Sequence, residues 1–124
     1  MEYDITHAIR ELKPGAQWSL IAEDYAKLTW LDGSQTKPTE AEINDKITAL
    51  TAAEPMRLLR IERNVRLSKC DWKILPDTTL SDSKVVEWKT YRQALRDLPA
   101  SATPKLNDRS RLDLTSVTWP TEPS

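Results

Sequence analysis

Residues 80–99 read LSDSKVVEWKTYRQALRDLP. Ser81 can take a free N–H of a first helical turn, and Val85, Trp88, Tyr91, Leu95 and Leu98 recur at spacings of three and four. The stretch therefore predicts an amphipathic helix to about Leu98 whose apolar face needs a cover. Upstream, Pro55 suits the first turn of a helix. Leu58, Ile61 and Val65 extend that helix to about Lys69 and form its expected inner stripe. Between the two, Asp71 to Thr79 is a connector, because Pro76 disfavours helical geometry at Leu75. Two helices so joined predict an antiparallel helical hairpin over 55–98, with Trp72 as the plug of its open end.

Residues 1–54 predict a small helix, β-hairpin, helix domain. Asp4 can cap a helix whose Ile5, Ala8, Ile9 and Leu12 share one face, and Pro14-Gly15 ends it. The alternating runs 17–22 and 27–31 read as a hairpin turning near Glu23-Asp24. Thr39 and Glu42 then form a capping box, each side chain serving the other residue's backbone N–H, before a helix bearing Ile43, Ile47 and Leu50. Pro55 reads equally well as a kink within one long helix. The fold class is thus α+β, mainly helical, with an extended tail over 99–124.

The tail holds Pro99, Pro104, Pro120 and Pro123, and its apolar residues Leu112, Leu114, Val117 and Trp119 nearly alternate. Ordering it costs roughly 1 to 2 kcal/mol per residue, and four buried side chains return only roughly 1.5 to 3 kcal/mol each. Alone it is expected to be mobile, and to order as a strand added to a partner's sheet. Truncation after Pro99 is accordingly expected to spare folding and to weaken partner capture.

Composition narrows the possible functions. In 124 residues there are 39% hydrophobic and 30% charged residues, five Trp and no Phe. No apolar run approaches the roughly 20 residues that cross a bilayer. Glu2, Asp4, Arg10, Glu11 and Lys13 interrupt any signal-peptide core, so the chain is expected to stay in the cytosol where it is made. Only two glycines occur, which leaves no Gly-rich phosphate loop. His7 lies about 140 to 160° from Ile5, Ile9 and Leu12 on its helix and is expected to be exposed, with no nucleophile to serve. Cys70, the single cysteine, allows no internal disulfide and reads as a small buried hydrophobe. No carboxylate cluster suggests a metal. Neither catalysis nor a cofactor is expected.

Charge divides the chain. Residues 1–54 carry five basic and ten acidic residues, a net of −5, and residues 55–124 carry 13 and nine, a net of +4. Arg57, Arg60, Arg63, Arg66 and Lys69 follow one another at intervals of three, which drifts about 60° per step and wraps them around about 240° of the helix. A nucleic-acid reader would gather such charges on one face. A solvated helix, with some arginines forking to carboxylates, is the simpler reading, and nucleic-acid binding by 55–69 is the alternative.

The ordered series Arg63-Asn64, Cys70-Asp71-Trp72, Leu75-Pro76-Asp77, Leu80-Ser81, Trp88, Tyr91-Arg92-Gln93, Leu95-Arg96-Asp97-Leu98-Pro99 and Trp119-Pro120 resembles the tail assembly chaperone family of tailed bacteriophages. Related segments close phage tail-fibre proteins. Leu28-Thr29-Trp30-Leu31-Asp32 and Lys37 to Ile43 resemble small domains of other phage tail proteins. The spacer from Ala100 to Thr118 is longer than the usual pattern and implies extra reach along a partner. The resemblance implies an assembly chaperone or a fibre-associated virion component that binds tail-fibre protein without covalent chemistry. Other tail or baseplate proteins and a second copy of the chain are further candidate partners; nucleic acid and membrane are not. The expected contact residues are Trp72, Trp88, Tyr91, Leu112, Leu114, Val117 and Trp119, acting in the host cytoplasm or on the virion.

Overall fold

A computed structural model describes residues 2–124 and divides the chain into two compact units, Met1–Glu54 and Pro55–Ser124. The elements run α1 (Ile5–Leu12), β1 (Trp18–Ser19), β2 (Thr29–Trp30), α2 (Glu40–Lys69) and α3 (Asp82–Ser101), with 3-10 turns at Tyr25–Lys27, Asp71–Ile74 and Leu114–Ser116. The protein is mainly helical, with one two-stranded antiparallel sheet.

In the first unit Asp4 caps α1, its carboxylate accepting the His7 N–H at 3.0 Å while its own N–H donates to His7 Nδ1 at 3.5 Å. His7 is thus half-buried and completes the cap from the third helical position, edge-on to Tyr3, instead of standing free in solvent. Helical periodicity gives a side chain's direction but not the cap it makes. Gly15, at φ 76°, turns the chain after α1. Trp18 pairs with Trp30 and Ser19 with Thr29. The hairpin is shorter than the alternation implied, because Ala22 and Glu23 take positive φ and a 3-10 turn follows. Ala8, Ile9, Leu28 and Ile43 form the buried core, and Ile5, Leu12, Trp18, Leu20, Tyr25, Trp30 and Ile47 pack around it. The polar tips find partners: Tyr25 Oη donates to the Pro38 carbonyl at 2.8 Å and Trp30 Nε1 to that of Gln35 at 2.8 Å. Tyr3 Oη donates to the buried Glu54 carboxylate.

At the start of α2, Thr39 Oγ1 accepts the Glu42 N–H at 3.1 Å and donates to the Glu42 carboxylate at 3.2 Å, so that carboxylate takes the hydroxyl. Pro55 lies inside α2, which continues through it as one helix. Proline cannot serve the carbonyl four residues back. That carbonyl belongs to Thr51, an exposed position where water can replace the lost donor.

The second unit has two linked apolar clusters. Cys70, Trp88, Tyr91 and Leu95 are buried together, with Leu67, Ile74, Leu80 and Trp119 against them. Leu59, Leu98 and Val117 form the other, with Met56, Ala102, Leu112 and Trp119. The unit departs from the sequence expectations in three places. The inner face of α2 runs through Met56, Leu59 and Leu67 and on to Cys70 just past its end, and Ile61 and Val65 are exposed. The helix has apolar residues on both sides, so periodicity alone does not choose between the stripes. Trp72 is 51% exposed and does not plug the helices; Ile74 and Leu80 pack there instead. The tail folds back on its own unit, with Val117 buried and Leu106 bridging Leu112. Its ordering is supported locally, since Asn107 accepts the Arg109 and Arg111 N–H groups and Asp113 donates its N–H to the Lys105 carbonyl at 2.8 Å. The tail meets an apolar surface of its own unit, the Leu59 and Leu98 face, and burying that face offsets the cost of ordering it.

Candidate partner-binding surface

The site is built around the end of α2. Arg92, on α3, is buried and reaches three acceptors at once: the Leu67 carbonyl at 2.8 Å, Cys70 Sγ at 3.2 Å and the Asp71 carboxylate at 2.8 Å. A guanidinium fork suits this work, because it satisfies a terminal helix carbonyl and an anion together. Burial opposes the Arg92 charge, but the bonds to Cys70 and Asp71 outweigh it and hold the pKa above the usual arginine value. The turn Asp71–Ile74 is thereby tied to α3.

That turn displays Trp72. Lys73 Nζ lies 4.3 Å from the Trp72 ring centroid and 4.3 Å from that of Trp88, a cation between two indoles. One face of Trp88 is thus covered by the ammonium, and Tyr91 meets Trp88 edge-on at 5.6 Å. Burial pushes the Tyr91 hydroxyl above its usual pKa.

Trp119 joins both clusters. Its Nε1 donates to the Leu114 carbonyl at 3.2 Å, and the Arg66 guanidinium lies over its ring. Arg66 also holds Glu62 at 3.1 Å. At the chain end, Lys84 Nζ donates to the Ser124 carbonyl at 2.7 Å and to Glu87 at 3.0 Å.

Of the seven expected contact residues, Trp88, Tyr91 and Val117 are buried in the unit's own core, and Trp119 and Leu112 are half-buried against it. Trp72 and Leu114, the latter 47% exposed, face solvent. Sequence reasoning missed the exposed Ile61, Val65, Leu75 and Val86, and the role of Arg92. Arg92 sits among apolar neighbours on the inner face, the one signal that could have marked it. Among the described residues no group of three or more His, Cys, Asp or Glu is placed to hold a metal ion, and no helix is long and apolar enough to cross a membrane.

The family model described as phage tail assembly chaperone protein matches residues 56–124, the second unit from its second residue to its last. The chain belongs to the phage tail assembly chaperone family. Its role is in phage tail assembly, among tail proteins. Comparison with curated proteins and with solved structures returns no match.

Proposed function

We propose that the chain is an assembly chaperone for a tail-fibre protein, or a fibre-associated component that stays bound, and that it works by non-covalent contact alone. The observation that carries this reading is the family match over the unit that leaves Trp72, Leu75 and Leu114 in solvent. Large apolar side chains ordered at a surface, beside the buried Arg92 fork, suit capture of another polypeptide. A fibre subunit assembles along extended, aggregation-prone surfaces, and a binder that covers them helps by mass action, with no nucleotide needed. Trp72 and Leu114 carry the contact, whereas Trp88, Tyr91 and Val117 support it from within. The second half of α2 and α3 act as an antiparallel hairpin, the expected 55–98 region, and residues 1–54 act as a separate small domain.

Nucleic-acid binding by 55–69 is less well supported, because Arg66 is committed to Trp119 and Glu62. Co-expression with the fibre protein tests the reading: co-purification and raised fibre solubility are expected. Unchanged solubility with no co-purification overturns it. Mass spectrometry of mature particles separates a component, present in fixed ratio, from a chaperone that has left.

A further inference from the structure

The second half of α2 has two opposite faces. Leu59 lies on the buried one, with Cys70 below the same side just past the helix end. At 100° per residue Ile61 and Val65 stand about 40° apart on the other, with Ile61 about 160° from Leu59. They are 48% and 42% exposed. Together with Asn64, Ser68 and Lys69 they line a shallow groove of about 510 Å³. Two neighbouring branched aliphatic side chains lower the helix propensity slightly and gain nothing from water, so together they offer an apolar patch on which a partner can dock.

Charge says what kind of partner suits it. Between Pro55 and Cys70 there are five cations and one anion, Glu62, which is paired with Arg66. Arg60 and Lys69 flank the apolar strip from opposite sides, nine residues and about 13.5 Å apart along the axis. Neither has a carboxylate partner among the described residues. A second copy using the same patch would set these cations against their own kind, which disfavours a symmetric dimer here.

We propose that the Ile61–Lys69 face docks an acidic amphipathic helix of the tail protein that this chain assists. Aliphatic side chains of that helix, spaced three and four apart, enter the groove, and its carboxylates meet Arg60 and Lys69. The proposal rests on the polypeptide-binding role given above and adds the chemistry of the partner.

The probe is a labelled 18-residue helical peptide with leucines on one face and glutamates flanking them, titrated with the full-length chain and followed by fluorescence anisotropy. Saturable binding at low salt is expected, weakened at least tenfold by Ile61→Glu and by Arg60→Glu and lost when lysines replace the peptide's glutamates. Both positions are exposed, and circular dichroism checks that each variant stays folded. Equal binding by the wild type and both variants overturns the proposal, as does no binding by the wild type. Sedimentation that shows a wild-type dimer and an Ile61→Glu monomer overturns it too, by making the face a self-association surface. The broader role is read separately with the fibre protein. Capture by the wild type and by Ile61→Glu alike removes only this face, and no capture by the wild type removes the role.

Discussion

The Arg66 guanidinium lies 4.0 Å from the centroid of the Trp119 ring, although 53 positions in the chain separate them. A cation over an indole is worth about 0.5 to 1 kcal/mol at an exposed site. Its larger effect here is positional, since Trp119 contributes to both apolar clusters of the second unit.

Trp119→Ala should therefore destabilise the second unit by about 2 to 3 kcal/mol, below the range for a fully buried aromatic because Trp119 is only half-buried. Truncation after Pro99 should cost more, as it also removes Val117 and Leu112. Urea unfolding read by far-ultraviolet circular dichroism checks both. Unchanged midpoints would show that the tail leaves the helices uncovered without penalty.

Arg92→Leu should cost about 2 to 3 kcal/mol, because the Leu67 carbonyl and the Asp71 carboxylate lose a shared donor. Asp71 is 61% exposed, which keeps the loss below that of a wholly buried pair. Arg92→Lys should recover little, since an ammonium gathers its donors on one nitrogen and cannot span the acceptors that Nη1 and Nη2 reach separately. Thermal melts of the three forms give the comparison.

Trp72→Ala should change stability by no more than about 0.5 to 1 kcal/mol, the worth of an exposed cation–π contact with Lys73. Under the proposed role its effect falls on capture of a tail-fibre protein, measured by pull-down of co-expressed proteins. A variant that unfolds would contradict the exposure of this ring.

Asp32 gives a pH signature. Its carboxylate accepts the Ser34 hydroxyl and the Ser34, Gln35 and Gln17 N–H groups, which lower its pKa from 3.8 to about 2. The folded chain thus favours the charged form, and the stabilisation is complete above the unfolded value and lost as pH falls through the folded one. The stability difference between the wild type and Asp32→Asn should stay constant above about pH 4 and shrink towards about pH 2. A carbon-detected titration of the Asp32 carboxyl checks the midpoint directly.

The helices were legible because their signals are local. Asp4, Thr39 and Ser81 cap where a free N–H needs them, and Trp88, Tyr91, Leu95 and Leu98 hold one face of α3 at helical spacing. What failed depends on three-dimensional company. Leu58, Ile61 and Val65 match helical periodicity as well as Met56, Leu59, Leu67 and Cys70 do, and only the position of α3 and the tail selects the second set. The surface was harder to read for the same reason. Trp88 and Trp119 are chemically fit to bind a partner, and the fold buries the first and packs the second, half-buried, against the same cluster.

The lone sulfur of Cys70 lies beneath Arg92, 3% exposed. It cannot meet a sulfur of another molecule while the second unit is closed, so no disulfide can lock one folded copy to another. Contacts between folded copies are thus kept free of thiol exchange, and oxidation cannot fix them in place until the second unit opens.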